Sequence, residues 1–430
     1  MIKTKKDKNR KRIFILGGGL SGLVAADKLK KHFNVTILEG APFLGGLASS
    51  FKLNGEEIPR FNHHIVKSNT TTLRYLKKYN LMGKNKWQRV KMALGYKNKL
   101  YNINNPFGLL KFNYLSLWGK FRLGLLGLYA IFILNPKRID DKLDLDTWMN
   151  KYAGKEVKEK VWKQLYGRNK FNISLKNISA KQFAHRLFEK EGYDLFTYPE
   201  KGLQGMIDGL EKDIKKYVRI YKNTKIMEVD FKNKNIKFKN NEKFFNETFD
   251  IVINTIPIPE FLKISNGLPK EYEKQLSRLR YVPVVGLAFG TEKFLNDKMY
   301  WINLFGERIH VIYQHSLLID KYKDKVSWCV RYGGSEEDLY KSDDEIKSLY
   351  LNNLKKYFPN MKVRWCLVFR EKYAEPIYDK DYPEYCPKYE SPLDSLYHAG
   401  IQVTFPKIRN MNVALESGEK VAEIIINKNK

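Results

Sequence analysis

The sequence predicts an α/β fold with an α+β second domain interwoven through it. Three observations predict it. A strand, a glycine-rich turn, a helix and a second strand follow one another between Arg12 and Leu38. Residues 70–195 then read as largely helical, aromatic and basic. From about Tyr198 short strand patterns return and alternate with helices as far as Ile426.

Arg12 to Leu16 (RIFIL) is an apolar run of strand length, so it reads as a short buried strand. Gly17 to Gly22 make a turn, and a helical stretch runs on to about His32. Val35 to Leu38 (VTIL) is a second buried strand, ending at Glu39. Together these form a βαβ unit. Tyr217 to Ile226, Met227 to Phe231 and Ile236 to Phe238 read as a strand meander. Phe249 to Ile256 (FDIVINTI) is a buried strand closed by Pro257. Residues 266–394 alternate strands and helices rich in Tyr and Trp, and Ser395 to Ile426 reads as strand, loop and helix. No repeat and no low-complexity linker separates these parts. The expected division is therefore interwoven: residues 1–70, 196–265 and 395–430 in one domain, 71–195 and 266–394 in the other.

Composition bounds the function. With 430 residues and 43% hydrophobic residues, the chain can bury a large core. Cys329, Cys366 and Cys386 stand far apart with no CxxC pair. They suit a reducing compartment and predict neither a disulfide framework nor a metal site. The formal charge of +31 is spread along the chain, which favours anionic partners such as a membrane surface or a nucleotide. A Lys-, Asn- and Ile-rich composition bias accounts for the same charge. No nucleic-acid-binding module accompanies it, so no specific nucleic-acid partner is expected. Met1 to Arg12 is basic without an apolar core and reads as a solvated arm.

The most apolar part lies between Phe107 and Leu134. Leu123 to Leu134 (LGLLGLYAIFIL) is a continuous apolar run, too short to span a bilayer as a helix. Lys120 and Arg122 flank it on one side, Lys137 and Arg138 on the other. Two readings stand: a buried core helix, or a surface segment dipping into lipid with its basic flanks on phosphates. A cytoplasmic protein is expected, and under the second reading it is peripheral at the inner face of a membrane.

Chemistry concentrates in a few segments. Gly17, Gly19 and Gly22 form G-x-G-x-x-G between a strand and a helix. The first glycine permits the turn, the second a close backbone approach to a pyrophosphate, and the third tight helix–strand packing. The helix N-terminus offers unpaired N–H groups and partial positive charge to phosphates. Leu20 and Ser21 belong to this loop. Glu39 ends the second strand, where a carboxylate accepts hydrogen bonds from ribose hydroxyls and repels a 2′-phosphate. These features define a Rossmann-like dinucleotide site. No second G-x-G-x-x-G is present, which argues against an added nicotinamide site.

Gly45-Gly46-Leu47 follows closely. The run GGGLSGLVAADKLKKHFNVTILEGAPFLGGLASSF resembles the N-terminus of the FAD-dependent amine oxidase superfamily, which includes protoporphyrinogen oxidase, phytoene desaturase and UDP-galactopyranose mutase. The resemblance implies FAD, with the second glycine pair near the flavin. It continues through Tyr198 to Gln204, similar to the family's P-x-G-G-x-x-x-L segment with Lys201 in place of a glycine. Thr224 to Val229, with Ile226, resembles the strand whose backbone meets the adenine. Leu396 to Gly400, then Met411, Asn412 and Val413, with Ser417-Gly418, resemble the C-terminal FAD motif. There the resemblance implies helix N-terminal amides facing the flavin N1–O2 edge, where they stabilise the anionic reduced ring.

Three positions depart from the family. Ile401 follows the C-terminal glycine where Asp or Arg is usual. Leu47 stands where Arg or Lys is frequent, and Val282 to Phe289 (VPVVGLAF) offers no lysine for flavin N5. His63 and His64 follow Arg60 and Phe61 where the family chain passes near the flavin. Either could bind substrate or move a proton, or serve as a hydrogen-bonded structural histidine. Tyr300-Trp301 and Ile309 to His315 resemble a substrate-domain strand pair.

The resemblance thus implies an FAD-dependent oxidoreductase acting on a large, partly apolar substrate: an isoprenoid, a porphyrin-like ring or a lipid-linked molecule. The alternative is a flavin-dependent sugar-nucleotide mutase. A third reading, a flavin-free binding protein like the GDP-dissociation inhibitors, conflicts with the intact glycines and Glu39.

Overall fold

The four apolar residues of β1 (Arg12–Leu16) are fully buried because β1 sits at the centre of a parallel sheet covered on both faces. The sheet has five strands, in the order Arg219–Tyr221, β2 (Asn34–Leu38), β1, Ile251–Asn254 and Leu396–His398. All four ladders are parallel. Ile13 and Ile15 enter one apolar cluster with Val24 and Leu29 of helix α1 (Leu20–Leu29) and Leu415 of the C-terminal helix (Met411–Lys428). Phe14 and Leu16 enter another with Phe238 and Val252. The period-two pleat of the strand thus feeds two cores. These coordinates are a computed structural model, which describes residues 10–83, 86–103, 106–189 and 194–429. The basic arm read over Met1 to Arg12 falls largely outside them.

The expected meander forms with shifted bounds. A turn at Lys222 and Asn223 separates Arg219–Tyr221 from Thr224–Asp230, which continues across Met227 with a bulge between Ile226 and Glu228. Asn235–Asn240 and Lys243–Thr248 complete the antiparallel part of this four-stranded sheet.

The third large sheet has seven strands and faces the ends of the parallel strands across a cavity. Its order is Val363–Pro376, Tyr281–Thr291, Lys325–Arg331, Val311–Tyr313, Met299–Leu304, Lys91–Tyr96 and Lys99–Asn102. Residues 70–195 are largely helical as expected, but the last two strands of this sheet also come from that segment. Lys91–Tyr96 pairs in parallel with Met299–Leu304, a partner remote in sequence, so local pattern carried no sign of it.

Within the helical part, Lys158–Phe171 is a wide, π-type helix. Such turns are rare and rotate side chains out of α-helical register. The apolar run falls in the helix Leu117–Phe132, opened by Ser116, whose side chain accepts from the Gly119 amide at 3.0 Å. The reading as a buried core helix holds for one face only. Leu126 and Ala130 are buried, whereas Leu117, Trp118, Phe121, Leu125, Leu128 and Phe132 are exposed at helical spacing. Phe107 and Leu110 of the adjoining helix Pro106–Leu110 extend the bare patch. Of the N-terminal basic flanks, Lys120 is buried and donates to Leu110 O at 2.6 Å, while half-buried Arg122 reaches the Ala153 and Lys151 carbonyls, so Lys120 is not placed to meet lipid phosphates. Lys137 and Arg138 are exposed. No helix among the described residues is long and apolar enough to cross a membrane.

Candidate functional site

The loop after β1 is held by its neighbours on both sides. Gly17 donates to Leu38 O at 2.9 Å, and Thr255 N donates to Leu16 O at 3.0 Å. A side chain at Gly22 would place its Cβ 2.2 Å from Gly17 O, so only glycine lets the helix lie this close to the strand end. Gly19 differs. A Cβ there meets no atom within 4 Å, so no protein packing demands glycine; the open side is the cavity. Helix α1 carries neither an acidic residue nor a side-chain cap in its first turn. Its leading amides are thus left for an anion.

Glu39 closes the other side. Its Oε2 accepts from the Gly18 amide at 2.7 Å and its Oε1 from the Ala41 amide at 2.7 Å. A carboxylate has about four lone-pair sites, so each oxygen retains capacity for a hydroxyl donor. Gly45 lies beside this loop, bridged to Gly19 and donating to Gly18 O at 2.8 Å. The C-terminal segment arrives from the far end of the chain. Gly400 N donates to Ser417 Oγ at 2.9 Å, Ser417 Oγ to Ser21 Oγ at 3.1 Å, and Ser21 Oγ to Ala414 O at 2.8 Å. The glycine loop and the C-terminal motif are therefore hydrogen-bonded into one wall.

These parts line one cavity of about 1090 Å³. Gly17, Gly19, Leu20, Ser21, Glu39, Gly45, Gly46, Leu47, Gly400 and Met411 face it, as do His63 and His64. Gly22, Ile226, Asn412 and Val413 do not line it. Gly22 serves the helix–strand contact, and Ile226 packs at the bulge. Asn412 turns toward the helix Thr70–Lys78, accepting from Thr72 N at 3.0 Å and donating to Glu416 at 2.7 Å. The Val413 amide is taken by the helix-capping Asn410 side chain at 2.9 Å.

His63 Nε2 lies 2.9 Å from Leu47 O. A carbonyl only accepts, so Nε2 carries the proton and Nδ1 is the acceptor. Burial, opposed by that hydrogen bond and helped by nearby Arg409, pushes the His63 pKa down to about 4. His63 is thus neutral at physiological pH. His64 Nδ1 accepts from Tyr300 Oη at 3.3 Å, and its ring packs near Phe196 and Trp301.

The same cavity is also lined by apolar side chains and by cations. Met92, Leu109, Leu123, Leu126, Ile131 and Trp162 make one wall apolar. Lys170, Arg186 and Arg409 line another. Lys170 Nζ and Arg409 Nε both meet one oxygen of Glu375, Oε2, at 2.7 and 2.8 Å. Burial opposes charge on Glu375, but Lys170 and Arg409 hold its pKa down at about 2. Burial also pushes Lys170 down to about 8, against the pull of Glu375. Glu371 lines the cavity at a bulge in its strand, with its pKa raised by burial. The sequence reading missed these groups. Arg409 stands next to the C-terminal motif and could have been suspected there. Lys170, Arg186 and Glu371 lie in segments with no motif.

An open glycine cradle, an uncapped helix N-terminus and a carboxylate at the end of β2 define a dinucleotide-cofactor protein of the α/β class. The family model for flavin containing amine oxidoreductase matches residues 20–426, and the chain belongs to that family. It is an FAD-dependent oxidoreductase. No curated protein matches the sequence. Among solved structures, the chain is similar to an Exiguobacterium sp. 255-15 protein assigned as a protoporphyrinogen oxidase, at 16% identity and TM-score 0.77, covering 97% of this chain and 99% of that one. It is also similar to an oxidoreductase from Methanosarcina mazei, at 17% identity and TM-score 0.71 over 96% of this chain and 100% of that one. A reduced UDP-galactopyranose mutase gives 12% identity and TM-score 0.74 over 97% of this chain and 96% of that one. At such identities the likeness is one of fold.

Proposed function

We propose that this chain dehydrogenates a large, partly apolar substrate such as an isoprenoid, a porphyrin-like ring or a lipid-linked molecule. One observation carries the reading: the cavity beside the glycine loops extends along the inner side of the exposed apolar helix Leu117–Phe132. Residues 1–70, 196–265 and 395–430 form the cofactor part in this reading, and 71–195 with 266–394 the substrate part. The Gly17–Ser21 loop holds the pyrophosphate on backbone amides, and Glu39 accepts the ribose hydroxyls. Gly45 to Leu47, Gly400 and Met411 border the flavin side. FAD supplies the hydride acceptor. The apolar wall excludes water and orients the carbon skeleton of the substrate. His63 and His64 position substrate by hydrogen bonding; neutral His63 offers Nδ1 as an acceptor.

Anaerobic mixing tests the substrate class. An apolar polyene or porphyrinogen is expected to bleach the oxidised flavin, while a small hydrophilic amine such as putrescine leaves it unchanged. The reverse order sinks the reading.

The exposed face of Leu117–Phe132 serves, in this proposal, as a docking surface for an anionic lipid leaflet. Exposed Lys111, Lys137 and Arg138 adjoin it, and the net charge of +31 attracts such a surface. A lipid-dissolved substrate then enters where the cavity meets that helix.

A second reading is a sugar-nucleotide mutase. Lys170, Arg186 and Arg409 in the same cavity favour it, since cations grip a diphosphate. Sustained turnover of reduced enzyme without an electron acceptor separates it from the first.

A further inference from the structure

The cavity is lined by apolar and by cationic side chains that come from different parts of the chain. Its apolar wall includes Leu109, Leu123, Leu126 and Ile131. Its cationic corner is assembled from three elements: Lys170 on the π-type helix, Arg186 on the helix Ala180–Phe188, and Arg409 in the loop before the C-terminal helix. Two of these cations are held on a single carboxylate oxygen. A charge removed from water is costly unless it is paired, and here Glu375 balances only one of Lys170 and Arg409. Arg186 lies close enough to Lys170 to lower its proton affinity. Lys170 and Arg409 thus carry one positive charge more than Glu375 balances, at the lining of a cavity whose other nearby strand acid, Glu371, is pushed by burial toward its neutral form.

We propose that Lys170 and Arg409, with Arg186 beside them, form a subsite for an acidic group on the substrate, whose apolar part lies along Leu109, Leu123, Leu126 and Ile131. The ligand is thus an amphiphilic acid, a carboxylate or a phosphate on a hydrocarbon body. This rests on the apolar-substrate reading above and narrows it. Arg409 offers a planar fork for bidentate contact with either anion, and Lys170 a point charge. Glu375 holds both side chains in place until the ligand arrives and is a positioning residue.

Binding to the FAD-loaded protein tests this, read by perturbation of the flavin spectrum and by thermal shift. The probes are decanoate and decyl phosphate below their micellar concentrations, decanol below its solubility limit, and UDP. Decanoate or decyl phosphate is expected to bind at least tenfold tighter than decanol, and the stronger of the two names the acid. Arg409→Gln and Lys170→Gln should each erase that preference while decanol binding stays the same. Glu375→Gln leaves two cations without their acid. Its stability should fall, and decanoate should restore more of it than in the wild type. Equal binding of decanoate and decanol overturns the anion subsite and leaves the apolar cavity standing. Failure of all three decyl probes overturns both. UDP binding as tightly as decyl phosphate assigns the cations to a nucleotide and overturns the amphiphile. An unchanged decanoate response in Glu375→Gln and Arg409→Gln makes the cluster a brace of the fold only.

Discussion

Gly18 N donates to Glu39 Oε2 at 2.7 Å, joining the phosphate-side loop to the end of the second strand. One carboxylate therefore orders the loop and, in the proposed site, receives the ribose. Glu39→Ala should lower FAD affinity by about 10- to 100-fold, from hydrogen bonds to a charged group worth about 1.5–3 kcal/mol. Flavin fluorescence on titration with the apoprotein measures it. Affinity within twofold of the wild type places the ribose elsewhere.

Gly19 and Gly22 should separate under the same substitution. Gly22→Ala forces a Cβ against Gly17 O and should cost about 1–3 kcal/mol of stability whether or not flavin is bound. Gly19→Ala meets no protein atom, so the melting temperature of the apoprotein should be unchanged while FAD binding weakens. Denaturation with and without FAD reads both. Equal destabilisation of the two apoproteins removes the case for Gly19 as the cofactor's cradle.

The bare helix face predicts lipid binding. Trp118 and Phe121 are 65% and 54% exposed, so replacing both by Ser should leave the melting temperature nearly unchanged. Each buried apolar side chain contributes about 1.5–3 kcal/mol to transfer out of water. The double variant should therefore co-sediment with phosphatidylglycerol vesicles at least tenfold more weakly than the wild type. Wild-type protein that stays in the supernatant ends the docking proposal.

Buried neutral histidines set an acid limit. Burial holds His398 near 3, below its ordinary 6.5, between Tyr272 Oη and Asn254 Nδ2. His310 and His315 are likewise held near 3 by burial, and His63 near 4. In the window between about 6.5 and these values the unfolded chain binds more protons than the folded one. Stability therefore falls as pH drops, by up to about 1.4 kcal/mol per pH unit for each histidine. His398→Gln should flatten this slope between about pH 6.5 and 5. Urea midpoints across that range report it; a variant slope equal to the wild type's shows that His398 is not held neutral.

Local chemistry made the cofactor half of the protein legible. β1 needed only a short apolar run, and the role of Gly22 followed from the contact between a helix and the strand before it. Glu39 was visible as the polar end of the next strand. The C-terminal motif was readable only through its resemblance to the family pattern; Gly400 and Met411 prove to sit at a strand end and a helix start. Neighbouring residues were harder to assign. Asn412 belongs to the same motif, yet its side chain bonds to Thr72 and Glu416, partners that only packing supplies. Strand Lys91–Tyr96 was not picked out within a segment read as largely helical, because its ladder partner, Met299–Leu304, is distant in the chain.

By itself, then, the sequence determined the βαβ unit with its G-x-G-x-x-G loop and Glu39, while the flavin family and the other glycine motifs were read from resemblance to known proteins. The unit and its loop depend on spacing within a few residues, where backbone sterics and hydrogen bonding dictate side-chain type. Tertiary structure alone decided which face of Leu117–Phe132 is bare and which faces the cavity. It also gathered Lys170, Arg186, Glu375 and Arg409 into one corner from separate segments. Charge pairing and cavity shape act across space between residues remote in the chain, so no local pattern encodes them.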